Sequence, residues 1–214
     1  MKKIMFNDKY SLTQAVLDGR KTMTRRIIKC PRTFKGEWVA GFNIHRRHSD
    51  KKIVGWPCMY DADDREFDMG KILPKYKVGE VLAIAQSYES LGMNPEIALN
   101  DKDGIGFYTK TKFSPGWKNK MFVRADLMPH HIRITNVRIE RLQDISDEDC
   151  LAEGIEYDHK AGMFYVRYDS VRHSRMWLAD TPRDAFATLI DKVSGKGTWE
   201  SNPFVFVYEF KLVD

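Results

Sequence analysis

The stretch Phe204-Val205-Phe206-Val207-Tyr208-Glu209-Phe210-Lys211-Leu212 decides the fold. Across 202–213, Phe204, Phe206, Tyr208, Phe210 and Leu212 fall on one face, and Val205, Val207, Glu209, Lys211 and Val213 on the other. A two-residue period with apolar groups on both faces reads as a strand in the middle of a sheet, covered from both sides.

Such a strand needs neighbours, and the chain supplies them. Residues 131–142 alternate, with Ile132, Ile134, Asn136, Arg138 and Glu140 opposed to Arg133, Thr135, Val137, Ile139 and Arg141, which predicts a strand with mixed faces. Residues 81–85 form a short apolar strand delivered by the turn Lys77-Val78-Gly79-Glu80, and 163–168 form another. Residues 22–28, rich in β-branched side chains, read as an extended segment.

Three helices are legible from their ends. Ser11-Leu12-Thr13-Gln14 has the form of a capping box, with Leu12, Ala15 and Val16 on one face and Gly19 as the stop. Ser146 caps a helix whose first turn carries Asp147, Glu148 and Asp149, and which ends at Gly154. Thr181-Pro182 opens a third helix with Ala185, Phe186, Leu189 and Ile190 as its buried stripe. Several short strands, three helices and a terminal core strand predict an α+β fold with a small, partly closed β-barrel. The 214 residues read as one domain with two irregular insertions, at about 30–76 and 87–126.

Lys and Arg total 35 against 30 Asp and Glu, a formal charge of +5, which suits a local basic patch better than a polycation. The opening Met1-Lys2-Lys3-Ile4-Met5-Phe6 begins like a signal peptide, but Asn7-Asp8-Lys9-Tyr10 interrupts the apolar run, and no window approaches a membrane span. Cys30, Cys58 and Cys150 are widely spaced and odd in number, which predicts reduced thiols in a cytoplasmic protein. His45 with His48, and His130 with His131, lack matching cysteine spacings, so no metal site is expected. The glycines of Gly104-Ile105-Gly106 and Ser114-Pro115-Gly116-Trp117 fit no nucleotide-binding loop, and no cofactor is expected.

The stretch with chemical content is Gly19-Arg20-Lys21-Thr22-Met23-Thr24-Arg25-Arg26. A lysine and a hydroxyl three residues apart, amid Arg20, Arg25 and Arg26, make either an exposed basic turn or an anion site whose charges depress the lysine pKa. A neutral lysine is a base, and a threonine hydroxyl becomes a nucleophile when something takes its proton. Residues three apart in a regular strand point to opposite faces, so Lys21 and Thr24 cooperate only if the chain bends between Gly19 and Met23.

Four blocks in order resemble the ASCH domains, PUA-like β-barrels related to RNA-binding modules. They are Gly19 to Arg26 as quoted, Lys77-Val78-Gly79-Glu80-Val81-Leu82, residues 145–155, and Val205-Phe206-Val207-Tyr208-Glu209-Phe210-Lys211-Leu212. The first block resembles the motif of the small bacterial amidohydrolases that remove acetate from N4-acetylcytidine. The run Leu142-Gln143-Asp144-Ile145-Ser146 and the segment 199–210 are similar to longer ASCH-like proteins of phages and mobile elements.

The resemblance implies Lys21 as base, Thr24 as nucleophile and Glu153, in Leu151-Ala152-Glu153-Gly154-Ile155, as the acid for the leaving amine. It implies a ligand-binding role for Arg20, Arg25 and Arg26, with Arg26 matching the motif arginine and holding an oxygen in the transition state. Glu153 is also readable as a surface glutamate, and Arg25 as a surface charge. Three functions stay open at this point: an amidohydrolase acting on an acylated cytidine, a non-catalytic module for single-stranded RNA, and a phage accessory protein acting by protein contact. Trp117 and Trp199, beside glycine-containing loops, are the tryptophans best placed to stack on a base. Arg133, Arg138, Arg141, Arg167 and Arg172 either extend a basic surface or form ion pairs.

Overall fold

The computed structural model describes residues 1–92, 115–169 and 174–213. Gly104-Ile105-Gly106, Ser114, Arg172 and the middle of the second insertion lie outside the described residues. The chain runs β1 (Lys3–Ile4), α1 (Leu12–Leu17), β2 (Met23–Ile27), β3 (Thr33–Phe34), β4 (Glu37–Trp38), β5 (Gly41–Asn43), β6 (Cys58–Tyr60), β7 (Glu66–Lys71) and β8 (Val81–Ile84). It continues with β9 (His131–Arg141), α2 (Asp147–Ala152), β10 (Glu156–Asp158), β11 (Met163–Asp169), β12 (Ser174–Ala179), α3 (Pro182–Ser194), α4 (Thr198–Ser201) and β13 (Phe204–Leu212). The fold is mixed α+β. No described helix is long and apolar enough to cross a membrane.

The main sheet has five strands in the order β1-β8-β9-β13-β2, all antiparallel except that β1 lies parallel to β8. As its alternation predicts, β13 is an interior strand, with Val205, Phe206, Val207, Tyr208 and Phe210 all buried. The sheet ends on two different strands, β1 and β2, and no pairing closes it into a barrel among the described residues. Three smaller sheets, β3-β4, β5-β6-β7 and β10-β11-β12, surround it. The first insertion thus folds as short paired strands, the arrangement that its scattered Pro and Gly residues favour.

The mixed faces of β9 have a cause in register. Glu209 pairs with Asn136 and Phe210 with Ile134, leaving Thr135 as an extra residue in β9. This bulge moves the apolar face from even to odd positions. Ile132 and Ile134 before it, and Val137 and Ile139 after it, therefore all lie beside the aromatic face of β13. Arg138 and Glu140 are turned to the opposite face.

Helix ends follow the sequence in two cases of three. The Ser146 and Thr181 side chains accept from the amides of Asp149 and Asp184, and Pro182 occupies the first turn. The capping box at Ser11 does not form. Asn7 instead caps a short 3-10 turn, Asp8–Tyr10, which leaves Ser11 in the left-handed region with φ 51° and no side-chain cap bond to α1. Gln14 then donates to Asp18 at 2.7 Å, within the helix.

Candidate functional site

The exit from α1 sets the position of Lys21. Gly19 adopts φ +73°, a conformation that costs glycine no steric penalty. Its amide donates to Val16 at 3.0 Å, and the Lys21 amide to Ala15 at 2.9 Å. The Thr22 amide donates to the Ala152 carbonyl at 2.9 Å, so the chain turns past the end of α2 before Met23 begins β2. Lys21 stands outside the strand alternation, and the bend that cooperation with Thr24 demands is present.

Past Ala152, Gly154 takes φ +100° and leaves Glu153 at the end of α2, facing Lys21. Lys21 Nζ donates to Glu153 Oε2 at 2.5 Å and to the Glu153 backbone carbonyl at 2.7 Å. Lys21, Thr24 and Glu153 are 2%, 5% and 4% exposed, so the surface-glutamate reading of Glu153 falls away. Burial lowers the Lys21 pKa, with Arg26 and Arg25 adding to the shift and Glu153 opposing it.

Glu153 is held from behind. Its Oε1 accepts from Arg25 Nη1 at 3.2 Å, and Arg25 also donates to Glu140 at 2.6 and 2.9 Å and to Asp149 at 2.6 Å. Arg138 donates to the same Asp149 at 2.6 Å, to Glu140 at 3.1 Å, and to Glu209. Val207 pairs with Arg25 on one side and Arg138 on the other, so the bulge in β9 is what brings Arg138 and Glu140 to the Arg25 face. Burial works against the Arg25 charge, but Glu153, Glu140 and Asp149 outweigh it and raise its pKa. Arg25 is neither a surface charge nor a free ligand-binding arm: its side chain is fully enclosed and saturated by carboxylates.

Lys21, Thr24, Arg25, Arg26 and Glu153 all line one open cleft of about 1070 Å³. In register, Thr24 pairs with Tyr208 and Arg26 with Phe206, so these four project from one face of the sheet into it. Phe6, Tyr76 and Phe186 add aromatic wall, and Leu189, Ile190 and Val193 an apolar end. Ile28 donates to Phe204 and Phe210 to Thr22, which makes every second residue of β2 bond to β13. The backbone groups of Arg25 and Ile27 therefore point away from β13 along an edge with no strand partner among the described residues.

Arg20 does not line the cleft. It pairs with Asp18 at 2.9 Å and Glu156 at 3.2 Å. Trp117 packs in a separate small cluster with Tyr88, Val123 and Met128, and Trp199 stacks edge-on against Phe186 beneath Arg183. Neither lines the cleft; its aromatic surface is Phe6, Tyr76, Phe186, Phe206 and Tyr208. Arg138 and Arg167 are in ion pairs, while Arg141 lies over the Phe204 ring at 3.8 Å.

Sequence reading missed Glu140 and Asp149, whose shared partner Arg25 lies more than a hundred residues away, and it missed Lys75 and Lys120, which enter from the two insertions. The polar pair Arg138 and Glu140 on an otherwise apolar strand was the available signal. Comparison with protein-family models, curated proteins and solved structures finds no match to this chain.

Proposed function

We propose that the chain is an ASCH-like protein of the PUA-like class, whose cleft takes a modified nucleoside, free or within RNA, and hydrolyses the amide of an N4-acylated cytidine. The observation that carries this reading is the Lys21–Glu153 contact, buried at the wall of a cleft that Thr24 also lines. Aromatic faces for a base and the open backbone edge of β2 for its polar rim support it.

The pair supplies both a base and an acid through one proton. Burial lowers the Lys21 pKa, which favours the neutral amine, and the 2.5 Å contact with Glu153 gives a proton taken up by that amine a path onward. Lys21 takes the Thr24 hydroxyl proton as Oγ1 attacks the acyl carbon. Arg26, at the cleft mouth, offsets the charge on the acyl oxygen. Glu153 relays that proton from Lys21 to the N4 nitrogen as the C–N bond breaks, which leaves acyl-Thr24 and the free amine of Lys21. Water, losing a proton to Glu153, then cleaves the ester, and that proton returns through Lys21 to Thr24.

Incubation with N4-acetylcytidine tests the reading. Release of acetate by the wild-type chain and its loss in Thr24→Ala are expected. Absence of turnover above that control overturns the enzyme and leaves binding without chemistry.

A further inference from the structure

Charge on the cleft is unbalanced. Lys3, Lys9, Lys21, Arg25, Arg26, Lys29, Lys75 and Lys120 line it, eight basic side chains against the two acidic ones of Asp8 and Glu153. Four of the eight are satisfied within the protein: Lys21 by Glu153, Arg25 by its three carboxylates, Lys120 by Asp8 at 2.6 Å, and Lys3 by backbone carbonyls of Met121 and Val123 at 2.5 and 2.8 Å. The other four, Lys9, Arg26, Lys29 and Lys75, are exposed and have no carboxylate partner among the described residues. Arg26 donates to the Met5 carbonyl at 2.6 Å, which fixes its position without neutralising it.

The position of these charges relative to the reacting groups matters more than their number. Arg26 follows Thr24 by one strand repeat on the same face, and Lys29, two residues past the end of β2 at Ile27, also lines the cleft. The Lys75 amide donates to the Tyr208 hydroxyl at 3.0 Å, which ties the backbone of that lysine to the residue paired with Thr24. Like-charge groups gathered at one open mouth repel each other, and an anion relieves that cost. A nucleoside has no charge to offer and fills only part of about 1070 Å³.

We infer that the cleft is built for a phosphorylated substrate, with Lys29 and Lys75 as a phosphate subsite beside the Lys21–Thr24–Glu153 centre. The inference rests on the nucleoside reading above and narrows it to nucleotides: the base lies toward Tyr208 and the phosphate toward the basic mouth.

Equilibrium binding to the Thr24→Ala protein separates this from the question of catalysis. The probes are cytidine, cytidine 5′-monophosphate, inorganic phosphate and a cytidine-containing RNA pentanucleotide. At low salt the monophosphate is expected to bind at least tenfold more tightly than cytidine. That advantage should fall to about twofold in Lys29→Gln/Lys75→Gln and shrink as salt rises. Cytidine binding by that variant, unchanged from the parent, shows that it is folded.

Equal affinity for cytidine and its monophosphate, an advantage unchanged in the double variant, or no binding by any probe each overturns the phosphate subsite. Deacylation of N4-acetylcytidine by the wild-type chain remains a separate result. Tighter binding of the pentanucleotide than of the monophosphate identifies the phosphates as those of an RNA strand; equal binding identifies a mononucleotide. Phosphate alone competing as well as the monophosphate would sink the assignment, since the subsite would then owe nothing to the base.

Discussion

Lys21 Nζ sits 2.5 Å from Glu153 Oε2 with both side chains almost wholly removed from solvent, so neither charge has water to fall back on. Breaking such a pair from one side leaves the other charge buried, which costs about 3–5 kcal/mol. Glu153→Gln strands Lys21 and removes a carboxylate from Arg25, so its stability in urea denaturation should drop by about that amount. Lys21→Met leaves Glu153 with Arg25 and should cost clearly less. The double variant Lys21→Met/Glu153→Gln should recover part of the loss; strict additivity of the two single effects would show that the contact is not energetically coupled.

Arg25 is a different kind of residue from Arg20, five positions before it in the same basic motif. Arg25→Met strips the shared cation from Glu140, Asp149 and Glu153 and should destabilise by about 3–5 kcal/mol. Arg25→Lys should restore little, since a single ammonium cannot fork between three carboxylates. Arg20→Ala breaks partly exposed pairs and should cost less than about 1 kcal/mol. Thermal unfolding of the three variants distinguishes an internal charge hub from a basic surface, and equal small effects would return Arg25 to the surface class.

The lowered Lys21 pKa gives a direction for pH dependence. Between that folded value and the ordinary 10.5, the unfolded chain holds the proton that the folded chain has released. Stability from this group therefore rises with pH across that window and is lost as pH falls through the folded value. Wild type and Lys21→Met, compared by denaturation at several pH values, should diverge accordingly, with the wild type gaining relative stability toward alkaline pH. The deacylation rate should rise as pH climbs through the folded value, where the free amine accumulates, and level off above it. A rate unchanged across the folded value would remove Lys21 as the base.

Local signals account for the long strands of the main sheet, for three helices and for the motif, but not for the partners that make the motif a site. The interior strand β13 is legible because one face is apolar over all nine residues and the other carries Val205 and Val207, and the ends of α2 and α3 because Ser146, Thr181 and Pro182 act within one turn. The capping box at Ser11 failed for a reason only four residues away: Asn7 starts a tighter turn first and leaves Ser11 at positive φ. The bulge at Thr135 is invisible in 131–141, where the alternation merely looks mixed, because only pairing with β13 reveals which residue is extra. Arg25 looked like one more surface arginine for the same reason. Its three carboxylates come from β9, α2 and the end of α2, and no spacing near residue 25 announces them.

Cys150 offers a probe of the same region. Burial pushes its thiol pKa up to about 12, and it sits in α2 between Asp149 and the turn that presents Glu153. A thiol this reluctant to ionise should resist alkylation in the native state, while Cys30 and Cys58, both partly exposed, react first. Mass spectrometry after brief iodoacetamide treatment should find Cys150 unmodified until denaturant is added. Early labelling of Cys150 would mean that the end of α2 opens readily, and with it the support of Glu153.

Gly154 tests the geometry without touching a charged group. Its φ of +100° is one that L side chains rarely adopt, and a Cβ there would lie 3.6 Å from Lys21 Cβ and 3.5 Å from Leu12 Cδ2. Those contacts are ordinary, so the cost of Gly154→Ala is backbone strain, about 1–3 kcal/mol. Rotation of the turn after α2 would relieve that strain and draw Glu153 off Lys21 and Arg25. Gly154→Ala should therefore lower deacylation by more than its stability loss explains when measured well below its melting temperature, with KM nearly unchanged because the sheet face of Thr24, Arg26, Phe206 and Tyr208 stays in place. A variant that loses stability but keeps full kcat would show that the position of Glu153 at the end of α2 is not what sets the chemistry.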